Sequence, residues 1–240
     1  MCPLCTTHAS SRRGFLTLAA AGVATGLLAA PGAAWAASAG APTSLSADQA
    51  LARLVAGNDK YLRSPDVCAS QLIRQRGEVA KHQAPWATIL SCADSRVPPE
   101  LLFGGAGVGE LFVARNAGNM ADTATMGSIE YGSAVLGVPL IVVLGHERCG
   151  AVAAAVDMAE KQAKFPGSIG AMVSAIVPAV QAVKGKPGDP VDNAVRESAS
   201  RTARYIATSS PLIADLVKQG KVKVVAARYD LDDGKVEFFA

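Results

Sequence analysis

Histidine is scarce in this 240-residue chain, with three in all, and aromatic residues make up only 5% of it. The few aromatics leave little material for the stacking platforms that bind single-stranded nucleic acid. Charge is scarce too, at 18% of residues. With Arg12 and Arg13 set aside, 21 basic residues stand against 20 acidic ones. No broad basic surface follows from such a balance, and nucleic acid is excluded as a partner. Half of the residues are hydrophobic, which fits neither a disordered nor a fibrous chain. A length of this order buries a sizeable core without disulfides. The chemistry has to come from a few residues.

Long apolar runs are missing as well. The longest, residues 14–30 (GFLTLAAAGVATGLLAA), is rich in Ala and Gly and marginal for crossing a bilayer. It follows Ser11-Arg12-Arg13 and precedes Pro31-Gly32 and Ala34-Trp35-Ala36, a small-x-small cleavage site. That order is a bacterial export signal, and Ser-Arg-Arg-Gly-Phe-Leu resembles the twin-arginine type, which moves folded proteins. The expected products are a cleaved signal over 1–36, a flexible leader over 37–46 and one domain over 47–240. The expected location is periplasmic or secreted, with no stable membrane anchor after processing. Cleavage removes Cys2 and Cys5, and with them the ligand-like Cys2-x-x-Cys5-x-x-His8 spacing. Cys68, Cys92 and Cys149 remain. They contain no Cys-x-x-Cys, which argues against a thiol-redox protein. Three cysteines cannot all pair in an oxidising compartment. Two thiolates occupied by a metal, with Cys68 as a structural thiol, would keep them apart.

Periodicity gives an α/β domain. Ser46 is a plausible N-cap for a helix over Asp48–Tyr61, where apolar residues recur at helical spacing. A second helix is expected over Gln71–His82. Short apolar runs at Trp86–Cys92, Leu111–Arg115, Leu140–Leu144 and Lys221–Ala227 read as strands. Helical segments are expected at Pro99–Phe103, Thr125–Leu136, Ala151–Lys161, Ile169–Val183, Val191–Ala207 and Pro211–Gln219. Apolar strands alternating with helices indicate parallel strands buried on both faces. Asp232-Asp233-Gly234 is a tight-turn signal, so Lys235–Phe239 should return antiparallel. The expected fold is a mostly parallel central sheet of four strands plus a C-terminal antiparallel strand, flanked by helices.

Two clusters sit at expected strand ends. Cys92-Ala93-Asp94-Ser95-Arg96 closes the first strand, and Gly145-His146-Glu147-Arg148-Cys149-Gly150 follows the LIVVL strand. Ligands collect at the carboxyl ends of strands in open parallel sheets, so the two clusters can meet in space. Two thiolates and an imidazole suit zinc: soft sulfur, borderline nitrogen and three protein ligands leaving a fourth tetrahedral position open. Taken singly, a strand Cys is most often a small core residue and Asp-x-Arg a surface ion pair; the conjunction is what points to a metal site.

Cys92-x-Asp94-Ser-Arg96 with His146-x-x-Cys149-Gly150 resembles the β-class carbonic anhydrases. The likeness extends through Gly57-Asn58, Gly109–Val113, Arg115-Asn116-Ala117-Gly118-Asn119, Ser128–Tyr131 and Tyr229–Val236, over about residues 47–239. It implies zinc-dependent, reversible hydration of carbon dioxide to bicarbonate and a proton, with one Zn2+ per subunit on Cys92, His146 and Cys149. Asp94 would orient the nucleophile and Arg96 would hold Asp94 off the metal. Gln83 and the Gly150 N–H would hydrogen-bond substrate oxygen, and Phe112, Ala117 and Tyr131 would line an apolar cleft. Gln83, nine positions before Cys92, and Ile89 in place of a tryptophan resemble the plant-type subgroup, as do Phe112 and Tyr131; Ala117 stands where that subgroup has valine. In known members Gln83, Phe112 and Tyr131 would reach or line the partner's site, which implies a homodimer or higher homo-oligomer. His82, beside Gln83, is a candidate proton shuttle, and Glu147 and Arg148 read as a solvated pair. Two alternatives keep these residues: hydrolysis of carbonyl sulfide or carbon disulfide, and a non-catalytic zinc protein in which Asp94 closes the fourth position.

Overall fold

The computed structural model describes residues 41–64 and 79–239. The export signal, the first part of the leader, Cys68 and most of the helix expected at Gln71–His82 lie outside the described residues. The last four residues of that helix, 79–82, form a turn instead, in which His82 N–H donates to the Val79 carbonyl at 3.3 Å.

Among the described residues five strands make one sheet: β1 (Ala87–Cys92), β2 (Leu111–Asn116), β3 (Leu140–His146), β4 (Lys223–Tyr229) and β5 (Val236–Phe239). Their order is β2-β1-β3-β4-β5, with β1–β4 parallel and β5 antiparallel to β4. The helices are α1 (Ala47–Arg63), α2 (Pro99–Leu102), α3 (Thr123–Ala134), α4 (Gly150–Lys161), α5 (Gly167–Ala182), α6 (Pro190–Ser209) and α7 (Pro211–Lys218). The fold is therefore the expected one. Every residue of β1 and β3 is buried, which is why those strands read as unbroken apolar runs rather than as alternation. Leu140, Val142 and Leu144 pack with Leu54 of α1 and Leu102 of α2 on one face. Ile141 and Val143 pack with Ile129, Ile206 and Ile213 on the other. The pleat thus divides one strand between two cores.

Caps set the helix starts. Ser46 and Gln49 form a reciprocal capping box on α1, and Asp122, Asp189 and Ser210 cap α3, α6 and α7. Buried Asn58 ties α1 to the rest of the domain. Its amide donates to the carbonyls of Leu102 and Gly234, each at 3.0 Å, and its Oδ1 accepts from Val236 N–H at 2.9 Å. Beside it α1 lies almost on the chain after α2: a Cβ at Gly57 would fall 2.3 Å from the Phe103 oxygen. The consequence of this topology is positional. Adjacent central strands β1 and β3 run parallel with Ser91 opposite Leu144, so Cys92 and His146 emerge at the same edge of the sheet.

Candidate metal centre

β1 ends on Cys92 and β3 runs on to His146, two residues beyond the LIVVL run. Glu147 and Arg148 then turn the chain so that Cys149 becomes the N-cap residue of α4. Cys92, His146 and Cys149 are 5%, 0% and 1% exposed, and their ligand atoms all lie within 4.8 Å of one another. The two sulfurs are 4.0 Å apart. His146 Nδ1 lies 2.9 Å from the Glu147 carbonyl oxygen. A carbonyl can only accept, so Nδ1 carries the proton and Nε2 presents its lone pair. That Nε2 is buried and has no hydrogen-bond partner among the described residues; Asp94 Oδ2, 3.8 Å away, is beyond bonding distance. A buried acceptor without a partner is costly unless something else occupies it. Two soft sulfurs and an orphaned imidazole nitrogen fit a zinc ion by their chemistry.

The contact between the sulfurs biases them in opposite directions, Cys92 toward the thiolate and Cys149 toward the thiol. A hydrogen bond with the Cys149 thiol lowers the Cys92 pKa, and His146 and the Gly118 N–H act in the same direction against burial. The same sulfur contact, together with burial, raises that of Cys149, and the Val152 and Ala151 amides at the start of α4 pull it back. Gly118 N–H reaches Cys92 Sγ at 3.4 Å. The position requires glycine: its φ is +82°, and a Cβ there would meet Ile176 Cδ1 at 2.7 Å.

Asp94 stands beside this cluster, its side chain 18% exposed. Arg96 donates to Asp94 Oδ1 from Nε at 2.9 Å and from its own backbone N–H at 3.0 Å, and to Oδ2 from Nη2 at 2.7 Å. This grip is the main reason the Asp94 carboxyl is held well below the usual carboxylate range.

The remaining expected residues divide into two groups. Gly150, exposed at the first position of α4, has nothing within 4 Å of where a Cβ would stand, and half-buried Ala117 adjoins Gly118. Both are next to the cluster in sequence. Phe112, by contrast, pairs with Thr88, four residues before Cys92. That places it roughly 13 Å down the sheet from the metal edge at about 3.3 Å per residue. It packs against Tyr131 of α3, ring centroids 6.1 Å apart, and Gln83 precedes β1 at the same far end. One subunit does not bring these three to its own cluster. His82 is exposed.

Some contributors were not singled out from the sequence. Arg115 donates to the carbonyls of Cys92 and Asp94, and Gly118 reaches Cys92. A lone arginine ending an otherwise apolar strand, followed by Gly118-Asn119 with φ of +82° and +45°, was the available signal. Glu147 and Arg148 are more than a solvated pair, since both bond to the hairpin that follows β4.

The profile of the carbonic anhydrase family matches residues 87–236. Carbonic anhydrase 2 of Mycobacterium tuberculosis is 36% identical over 179 residues, which cover 75% of this chain and 86% of that protein. The chain belongs to the carbonic anhydrase family. Among solved structures, the β-carbonic anhydrase of Coccomyxa, in complex with acetazolamide, matches with a TM-score of 0.59 at 27% identity, over 75% of this chain and 82% of that one. A tetrameric β-carbonic anhydrase from the ascomycete Sordaria macrospora shares the fold, with a TM-score of 0.61 at 22% identity over 76% and 96% of the two chains. This carbonic anhydrase is thus of the β class, and the Cys-His-Cys cluster at its sheet edge lies within the matched region.

Proposed function

We propose that this carbonic anhydrase holds one zinc ion per subunit on Cys92 Sγ, Cys149 Sγ and His146 Nε2, and with it hydrates carbon dioxide reversibly to bicarbonate and a proton. The observation that carries the reading is the convergence of two buried sulfurs on a buried imidazole nitrogen with no partner of its own. Zinc in such a site makes a water molecule acidic enough to serve as the nucleophile near neutral pH. Asp94 supplies an ionised carboxylate, which can only accept, so Oδ2 takes a hydrogen bond from the nucleophile and turns its lone pair toward the carbon of the substrate. Arg96, by occupying both carboxylate oxygens, keeps Asp94 from swinging onto the metal. The Gly150 N–H, in the first turn of α4 where amides lack intrahelical partners, hydrogen-bonds a substrate oxygen.

Gln83, Phe112, Ala117 and Tyr131 complete a cleft of the plant type. Because Gln83, Phe112 and Tyr131 lie at the far end of the sheet from their own subunit's cluster, we assign them to the cleft of a partner, which makes the working unit a homodimer or a higher homo-oligomer. The half-buried apolar residues of edge strand β2 suit that contact. We also propose export by the twin-arginine route, supported by Arg12-Arg13, the apolar run and the small residues before position 37. The protein recovered from the periplasm should then begin at Ala37. The test of function is stopped-flow hydration of carbon dioxide by the purified protein before and after chelation. Activity that is lost with the metal and returns with zinc is expected; undiminished activity in metal-free protein would end the reading.

A further inference from the structure

His146 and Cys149 are separated by two residues that must turn the chain from a strand into a helix. Arg148 makes that turn at φ +52°, in the left-handed region that a side chain other than glycine rarely adopts. Such a conformation persists only where the surroundings over-determine it. They do so here. Glu147 is fixed at every polar group: its N–H donates to the Tyr229 carbonyl at 2.9 Å, its carbonyl accepts from His146 Nδ1 at 2.9 Å, its Oε2 accepts from Leu231 N–H at 3.1 Å and its Oε1 from Arg148 Nη1 at 3.2 Å. Arg148 also clasps Asp232 with both ends of its fork, Nη1 to Oδ2 at 2.9 Å and Nη2 to Oδ1 at 2.6 Å.

The platform that receives these bonds is held by hydrogen bonds of its own. Asp230 Oδ1 accepts from the N–H groups of Asp232 and Asp233, and the Asp230 carbonyl from Gly234 N–H, which close the turn between β4 and β5. Arg228 anchors Asp230 from β4 at 2.9 Å. The carboxylates of Glu147, Asp230 and Asp232 lie within 4.8 Å of one another, but Arg148 and Arg228 occupy them, so the group is a salt-bridged template and not a second cation site.

We infer that the turn of the C-terminal hairpin is a positioning element for the metal ligands: Asp232, through Arg148, and the Leu231 N–H, through Glu147, fix where His146 and Cys149 point. The clamp rests on the zinc reading above. The side chains of Arg148 and Asp232 are 52% and 71% exposed, and pairs that open to water add little to stability. Contacts that orient metal ligands, in contrast, typically change metal affinity 10- to 100-fold. A structural pair and a positioning pair therefore differ in what they move.

The test compares wild type, Asp232→Asn, Arg148→Gly and the double variant as zinc-loaded proteins. Glycine accepts the positive φ, so Arg148→Gly removes the clamp without adding backbone strain. Zinc affinity is read by competition with a chromophoric chelator, and ligand geometry by the d–d spectrum after exchange into cobalt(II). Each single variant should bind zinc about 10- to 100-fold more weakly and shift the cobalt bands. Circular dichroism and assembly size should stay as in wild type. The double variant should lose little more than either single one, because both cut the same connection. Wild-type zinc affinity and an unshifted cobalt spectrum in both single variants would overturn the clamp alone. A wild type that takes up no zinc would overturn the zinc reading and the clamp with it.

Discussion

Arg115, at the end of edge strand β2, reaches across to the loop after β1 and donates from Nη2 to the Asp94 carbonyl at 2.6 Å, while its Nε donates to the Cys92 carbonyl at 3.0 Å. One guanidinium thus spans the backbone of Cys92, a proposed metal ligand, and of Asp94, whose carboxylate stands beside the Cys-His-Cys cluster. Arg96 fixes the Asp94 side chain, and Arg115 fixes the main chain that carries it. Bonds so open to water add little to global stability, but two donors on one rigid guanidinium hold a short loop in one position.

Arg115→Met should therefore separate positioning from folding. The side chain is exposed, so the thermal midpoint should move little, while kcat/KM for carbon dioxide hydration should fall about 10- to 100-fold, the scale of an ångström-sized misplacement. Zinc content measured alongside should stay near one per subunit. A variant as fast as wild type would show that the loop holds its place without the bridge.

The convergence of Cys92, His146 and Cys149 was legible in the sequence because it obeys two local rules. Cys92 ends a run of buried residues, and His146 and Cys149 flank the end of another, so the chain itself marks the strand termini where sites form. The buried parallel strands and the hairpin were legible for the same reason: LIVVL reads as a strand covered on both faces, and Asp232-Asp233-Gly234 as a turn. What could not be read was side-chain reach. Nothing in the spacing says that Arg115 spans from β2 to the next strand, or that Arg148 pairs with Asp232, 84 residues on. These contacts are set by register and turn geometry, which depend on the assembled sheet. The far placement of Phe112 likewise follows from its pairing with Thr88 and from no property of its own segment.

Cys92→Ser and His146→Ala each remove a donor of the triad. Serine is a hard, weakly acidic ligand in place of a thiolate, and alanine leaves only two sulfurs. Both variants should retain less than about a tenth of the wild-type zinc after dialysis, since losing a direct donor costs more than the 10- to 100-fold typical of contacts that only orient one. Hydration should fall to background in step. Elemental analysis together with stopped-flow kinetics checks both, and full zinc content with full activity would remove the residue concerned from the ligand set.

Asp94→Asn should behave differently, since the Asp94 carboxylate is not one of the three proposed ligands and stands 3.8 Å from His146 Nε2. Zinc should remain, but the amide offers hydrogens where the carboxylate only accepted, and turnover at pH 8 should drop at least 100-fold, within the 10²–10⁴ range typical of lost proton-handling groups. Arg96→Gln tests the same unit from the other side. Arg96 is the main cause of the lowered Asp94 pKa, so removing it should raise the pH at which Asp94 picks up a proton. The acid limb of the activity profile should then move to higher pH. An unmoved limb would mean that another group sets it.

Arg228 gives a prediction whose size depends on pH. Its side chain is only 10% exposed and faces three carboxylates: Asp192, bonded directly to Nε, Asp230 at 2.9 Å and Glu147 at 3.7 Å. Hydrogen bonding from Arg228 is the leading cause of the lowered Asp230 pKa. A carboxylate lowered in the folded state contributes stability above its unfolded pKa of about 3.9 and loses it as pH falls toward the folded value. Wild type should accordingly weaken on acidification from this group only below about pH 4. Arg228→Met leaves Asp230 without its cation and thins the pairing of the other two, of which Asp192 keeps Arg196 and Glu147 keeps Arg148, at a cost of about 3 kcal/mol near neutral pH. Protonation now relieves their repulsion, so the variant should recover part of its deficit as pH falls from 7 toward 5. Urea denaturation of both proteins with excess zinc at pH 7, 6 and 5 reads the gap directly. It should narrow with acid; a constant or widening gap would show that Arg228 acts through packing and not through charge.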